Sequence, residues 1–221
     1  MVDAPELRYR PEIFDTPDIG SAKEIILQPE PGMDTDARWI RETDFLGDWM
    51  AEALQMNSSA LALDFGCGLG RLSKIFTDRF GVATVGVDIS ASMRAMAADY
   101  VGSSLFAAVS SEMFSSLVRS GFRADIAVAA WVLQHVLDLP GELDRLWLAL
   151  KPGGVFVVLN MHRRCIPTTA GWADDQQDVH AQIMSRFEGV AEIPIPIFDS
   201  TPEVHAQKYL RIYRKALAAT A

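Results

Sequence analysis

The segment Leu63-Asp64-Phe65-Gly66-Cys67-Gly68-Leu69-Gly70-Arg71-Leu72 carries the densest chemical signal in the chain. An apolar run ends near an acid, passes through three glycines at alternate positions and enters a helical pattern. Glycine lets the backbone turn tightly and lets a ligand approach where a Cβ would clash. In open α/β sheets, ligands sit beyond the carboxyl ends of the strands, and the exit of the first strand is the usual place. A dinucleotide fingerprint has the spacing G-x-G-x-x-G, whereas this loop reads G-x-G-x-G. An acid just before the glycines is also awkward beside a pyrophosphate.

S-adenosylmethionine (SAM) fits the loop better than NAD. It carries a sulfonium and an ammonium and no phosphate, and a carboxylate such as Asp64 pairs with an ammonium directly or through water. A second marker is Val87-Asp88-Ile89-Ser90, with Asp88 20 residues after Gly68. An acid at the end of the second strand is placed to accept both ribose hydroxyls of an adenosine. That role is common to NAD and SAM sites, so Asp88 indicates an adenosine without choosing between them. A competing reading has Asp88 capping the helix that follows.

These residues need a scaffold, and the apolar pattern predicts one. ALALDF (60–65), ATVGVD (83–88), SLFAAV (104–109), ADIAVAA (124–130) and GVFVVLN (154–160) are short apolar runs bounded by Gly, Asp, Ser or Pro. Helical spacings lie between them, as in Leu139, Leu143, Leu146, Trp147 and Leu150. Strands apolar on both sides, alternating with helices, imply a parallel sheet covered on both faces. Asp34 caps a predicted helix running to about Gln55. Before it, Pro5, Pro11, Pro17, Pro29 and Pro31 make residues 1–33 read as an irregular arm. After the fifth strand, Trp172, Val179, Ile183 and Phe187 predict a helix, and VAEIPIPIF and HAQKYLRIYRKA predict two strands.

ALDFGCGLGRLS, VGVDIS, ADIAVAAWVLQHV and LKPGGVFVVLN, in this order and spacing, resemble the motif series of class I SAM-dependent methyltransferases over roughly residues 60–161. The resemblance implies an α/β fold: a doubly wound, mostly parallel, seven-stranded Rossmann-like sheet ending in a reversed hairpin. It implies that Asp64, Gly66, Cys67 and Gly68 line the methionine end of the cofactor, that Asp88 holds the ribose, and that Ile89 lies against the adenine. Ala130 and Trp131 would back the site near the sulfonium. Many relatives place Gly-Asp after the third strand, where this chain has Val109-Ser110-Ser111-Glu112, so Ser111 or Glu112 is the substitute for that adenine contact. The domain division expected is a Pro-rich arm (1–33), a helical lid (34–58) and the SAM-binding domain (59–221).

Other residues have a functional and a plain reading. His135, after the fourth strand, is a candidate general base, although packing beneath the site is the favoured role. Cys67 reads as a compact loop residue and Cys165 as inert. Trp39 and Trp172 either roof an acceptor pocket or cement helices to the sheet. Arg38 and Arg41 either meet the cofactor carboxylate or are ordinary surface arginines. Arg163 or Arg164, with His162 or Asn160 beside it, is a candidate clasp for an anionic or strongly polar acceptor. The alternative is that both arginines pair with Asp174 and Asp175.

The activity expected is methyl transfer from SAM to an O or N atom of a small molecule, with a SAM-binding regulatory or partner subunit as the alternative. The net charge of −9 argues against a nucleic-acid partner. No apolar run reaches the ~18 residues of a membrane span, no h-region of a secretory signal is visible, and a cytoplasmic location follows as the default. The four histidines show no metal-ligand spacing, so no metal is expected.

Overall fold

A computed structural model describes residues 8–30, 32–54, 57–196 and 201–217. The start of the predicted arm, Pro31, Gln55 and the end of the VAEIPIPIF run lie outside these. Among the described residues a 3-10 turn at Pro11–Phe14 precedes two helices, α1 (Ile19–Ile26) and α2 (Thr35–Ala53). An alternating series follows: β1 (Leu61–Phe65), α3 (Arg71–Phe80), β2 (Ala83–Val87), α4 (Ala91–Val101), β3 (Phe106–Val109), α5 (Ser111–Arg119), β4 (Ala124–Ala130), α6 (Leu139–Ala149) and β5 (Leu150–Met161). The chain then forms β6 (Ile166–Thr168), β7 (Gly171–Ala173), α7 (Val179–Met184), β8 (Glu188–Ile193), α8 (Pro202–His205) and β9 (Lys208–Arg214).

Seven strands form one sheet in the order β3-β2-β1-β4-β5-β9-β8. The first five are parallel, and β9 runs antiparallel between β5 and β8. The doubly wound sheet with its reversed hairpin is therefore as expected. The strand order reverses between β1 and β4, which opens a crevice beyond their carboxyl ends.

Side chains alternate across the sheet. Leu63, Phe65, Ala127, Phe156 and Val158 face a core completed by Phe114, Leu143, Leu146 and Ile183. Ala62, Ile126, Val128, Val157 and Leu159 face the opposite core, with Leu46 and Met50 of α2 and Leu72, Ile75 and Phe76 of α3. This parity assigns Asp64 to the α3 side, with Ala62.

Two tail and arm expectations are corrected. The arm is not irregular throughout, because the eight residues between the Asp18 cap and Leu27 contain no proline and form α1. The Asp18 carboxylate accepts from the Ser21 amide, as an N-cap does. Trp172 is not on a helix: it lies in β7, a two-stranded hairpin with β6, and α7 starts only at Val179 behind its Asp178 cap.

Candidate functional site

A cavity of about 230 Å³ lies at the crevice, beyond the ends of β1, β2 and β4. Gly66, Gly68, Asp88, Ile89, Ser111, Ala130 and Trp131 all line it. Seven of the ten residues expected around a cofactor are thus brought together. Asp88 is the best-defined polar group among them. Its Oδ2 accepts from the Gly68 amide at 2.8 Å and its Oδ1 from the Ser90 amide at 2.9 Å. Burial pushes its carboxyl above the usual range. The helix cap falls to Ser90 instead, whose hydroxyl accepts from the Met93 amide.

Gly66 and Gly68 both have positive φ, at 73° and 52°. A Cβ on Gly66 would stand 2.4 Å from a Val132 methyl, and one on Gly68 would stand 2.6 Å from Ile26 Cδ1. Both positions thus need glycine for conformation and for close approach. Trp131 also has positive φ, 59°, a strained setting for a bulky residue at the end of β4. Its indole nitrogen donates to Glu42 at 2.7 Å. The Arg38 guanidinium and the Lys208 ammonium lie 5.6 and 5.9 Å from its ring centroid. Arg38 and Arg71 ion-pair with Glu42, and Arg38 and Lys208 with Glu30. This largely buried network locks α2, the α1–α2 connection and β9 around Trp131.

Three expected cofactor residues do not line the cavity. Asp64 points to α3, as its strand parity requires, and takes the Ser73 amide at 3.0 Å and the Ser73 hydroxyl at 2.7 Å. The helix N-cap, Gly70, has no side chain to offer, so Asp64 caps α3 from the neighbouring strand. Burial raises its carboxyl to about 6 despite those hydrogen bonds. Cys67 is buried against Gly86, and burial holds its thiol well above the usual value, so it is not a thiolate nucleophile. Glu112 is exposed at the start of α5.

Among the acceptor candidates, His135 lines the cavity but both its ring nitrogens are engaged. Nδ1 faces the Cys165 carbonyl and must donate to it, which leaves Nε2 to accept from Gln134 Nε2 at 3.2 Å. Burial lowers its pKa and favours this neutral form. Its ring packs with Phe14 and Trp172, at centroid distances of 5.5 and 5.3 Å. Trp172 supports the wall from a half-exposed position, 51% accessible. Trp39 is buried away from the cavity, donating to the Tyr100 hydroxyl at 3.2 Å.

Arg163 and Arg164 are not a clasp. The chain bends at His162 and Arg163 just after β5, neither arginine is among the residues lining the cavity, and the alternative pairing with Asp174 and Asp175 is what forms. Arg163 pairs with Asp174 at 3.0 Å on the surface. Arg164 is buried: it pairs with Asp175 and donates to the Leu133 and Val136 carbonyls at 2.7 and 2.6 Å. It thereby fixes the turn carrying His135. His162 stacks on Tyr209, 4.9 Å between centroids. Sequence reasoning missed Tyr9, Phe14, Ile25 and Ile26, which come from the arm and α1 to the cavity wall. Their only signal was apolar character between prolines.

A family model described as a methyltransferase domain matches residues 34–190. The chain belongs to the class I SAM-dependent methyltransferases. Curated relatives of this methyltransferase include the ubiquinone biosynthesis O-methyltransferase of Rhodopseudomonas palustris (strain TIE-1), 31% identical over 126 residues, covering 54% of this chain and 49% of the relative. The protein of the same name from Bradyrhizobium sp. (strain ORS 278) is 36% identical over 123 residues, covering 51% and 44%. The chain matches about half the length of these relatives. Among solved structures, the PH0226 protein from Pyrococcus horikoshii OT3 superposes with a TM-score of 0.63 at 18% identity, covering 87% of this chain and 97% of that one. The geranyl diphosphate C-methyltransferase of Streptomyces coelicolor A3(2), solved with S-adenosylhomocysteine, gives 0.61 at 15% identity, covering 80% of each chain. The [4+2]-cyclase SpnF gives 0.60 at 17%, covering 83% and 84%. At these identities, what the methyltransferase has in common with its structural neighbours is the fold. Among the described residues no helix is long and apolar enough to cross a membrane, and no group of three His, Cys, Asp or Glu could hold a metal ion.

Proposed function

We propose that this protein binds SAM in the crevice cavity and transfers its methyl group to an oxygen or nitrogen atom of a small molecule. The observation that carries the reading is Asp88. Two backbone amides fix its carboxylate at the cavity, and each occupies only one acceptor position per oxygen. A carboxylate has about four such positions, so two remain for a pair of vicinal ribose hydroxyls. Ile89, half exposed in the same wall, offers an apolar face for a base. Gly66 and Gly68 provide the bare backbone for the methionine end, and Ser111 is the polar group available to the adenine amino group. Asp64 contributes by capping α3 and so shaping the loop, not by meeting the ammonium.

The bound cofactor supplies an electrophilic methyl carbon on a sulfonium. The chain's own residues orient and enclose. Among the described residues the cavity wall contains no Lys or Arg, and its aromatic and aliphatic side chains are suited to excluding water from the reacting atoms. In an in-line displacement, such positioning supplies much of the rate. With both nitrogens of His135 engaged, the acceptor is a nucleophile that needs no dedicated imidazole base. The O-methyltransferase names of the curated relatives favour oxygen over nitrogen.

Calorimetry with SAM, S-adenosylhomocysteine and NAD tests the binding step. Heat is expected with the two sulfur nucleosides and not with NAD. Asp88→Ala should weaken binding by ~1–3 kcal/mol, the scale of hydrogen bonds to a charged group. No heat with either sulfur nucleoside would overturn the reading. Transfer of labelled methyl to a metabolite extract, with Asp88→Ala as control, separates an enzyme from a binding subunit.

A further inference from the structure

Residues 8–16 form a strap that is anchored at both ends. At one end it pairs with the β6–β7 hairpin. Arg10 donates its amide to the Pro167 carbonyl at 2.9 Å, and Thr169 donates to the Arg8 carbonyl at 3.0 Å. At the other end the Thr16 amide donates to the Ser92 hydroxyl at 2.9 Å. Asp15 accepts from the Ser90 hydroxyl at 2.7 Å and from the Ser92 hydroxyl at 3.3 Å. Between the anchors, Tyr9 and Phe14 enter the cavity wall.

Ser90 belongs to two systems at once. Its hydroxyl gives its single proton to Asp15 and uses a lone pair to cap α4. Its amide donates to Asp88 Oδ1, and Asp88 Oδ2 accepts from Gly68 in the glycine loop. A continuous chain of hydrogen bonds therefore runs Asp15–Ser90–Asp88–Gly68. Asp15 itself is exposed and touches neither the cavity nor the glycine loop.

We infer that Asp15 is a positioning residue that couples the strap to the nucleoside-facing carboxylate Asp88, so that a filled nucleoside site and a seated strap stabilise each other. Coupling of this kind is reciprocal. A vicinal diol on Asp88 holds the carboxylate, the Ser90 amide and the α4 cap in one arrangement, and that arrangement presents the Ser90 hydroxyl to Asp15. Seating Asp15 in turn places the adjacent Phe14 against His135, which completes the wall an acceptor meets. The inference rests on the proposed role of Asp88 as the ribose ligand.

Hydrogen exchange on the full chain tests it, with and without S-adenosylhomocysteine, for wild type, Asp15→Ala and Asp15→Asn. Asparagine keeps an oxygen that accepts from the Ser90 hydroxyl. In wild type the nucleoside should slow exchange at Thr16 as well as at Ser90 and Gly68. Asp15→Ala should speed the Ser90 and Gly68 amides on the order of tenfold even without ligand, and should abolish the ligand's protection of Thr16. Its dissociation constant for S-adenosylhomocysteine should rise roughly threefold to tenfold, the scale of one hydrogen bond. Asp15→Asn should restore both. If Asp15→Ala frees the strap but leaves Ser90 and Gly68 exchanging at wild-type rates, Asp15 is a tether only and the inference fails. If wild type binds no sulfur nucleoside, the Asp88 reading falls, while the ligand-free exchange comparison still decides the relay.

Discussion

Asp64 and Asp88 are both acids at strand ends beside the same loop, yet they do different work. Asp88 faces the cavity; Asp64 is enclosed against α3 with its carboxyl raised to about 6. An unfolded aspartate titrates near 3.8, so between these values the folded state holds a proton that the unfolded state has lost. This group's stabilising effect is therefore complete below about pH 4 and is lost as pH rises through about 6. Asp64→Asn should flatten that part of the stability profile, read by denaturant unfolding at a series of pH values; an unchanged profile would assign the slope elsewhere. The glycines differ in the same graded way. Gly66→Ala drives a Cβ into the Val132 branch point, whereas at Gly68 the obstacle is the flexible end of Ile26. Gly66→Ala should cost more stability than Gly68→Ala, and Ile26→Ala should relieve part of the second defect but none of the first.

At the scale of elements, the loops around the cavity are held by side chains that never enter it. Arg164 ties the turn after β4 to the segment beyond β7, through Asp175 and two backbone carbonyls. Removing one partner of a buried ion pair leaves the remaining charge and the carbonyls unsatisfied, at ~3–5 kcal/mol. Arg164→Ala should show that loss in thermal or chemical unfolding. Arg163→Ala, removing an exposed pair with Asp174, should fall within about 0.5 kcal/mol of wild type. Equal losses for both would mean that Arg164 is not the structural pin its contacts describe. In the same way Glu42, on α2, holds the strained Trp131 by its indole nitrogen.

For the whole molecule, the cavity is a joint product of the sheet and the N-terminal segment. The ends of β1, β2 and β4 supply its floor, while Tyr9, Phe14 and α1 supply wall from the segment that precedes the sheet. A ligand that binds only this assembled state stabilises it by mass action, about 2.7 kcal/mol at a hundredfold excess over its dissociation constant. In a protein of this length each kcal/mol raises Tm by roughly 2–4 °C. S-adenosylhomocysteine should therefore raise Tm by several degrees while NAD at the same concentration leaves it unchanged, and a shift of equal size with NAD would reverse the cofactor assignment.

The sheet was legible because its strands are short apolar runs punctuated by glycine and acids, and that pattern depends on local sequence alone. The place of the glycine loop and of Asp88 at the cavity was legible for a related reason: tight turning and close backbone approach impose glycine at fixed spacing just beyond a strand end, and Asp88 follows the next strand. The facing of Asp64 was also within reach, since strand parity with Ala62 turns it to α3. For Arg163 and Arg164 the nearby acids Asp174 and Asp175 were legible as partners, but the burial of Arg164 against the Leu133 and Val136 carbonyls was not, because those carbonyls belong to a turn about thirty residues away. Phe14 and Ile26 carry no local mark of function at all. Their place in the cavity depends on neighbours distant in sequence, such as His135 beside Phe14 and Gly68 beside Ile26. Local pattern determined the sheet and the cavity floor at its strand ends; the wall from Tyr9, Phe14 and α1 is made by long-range packing, which only the tertiary structure decides.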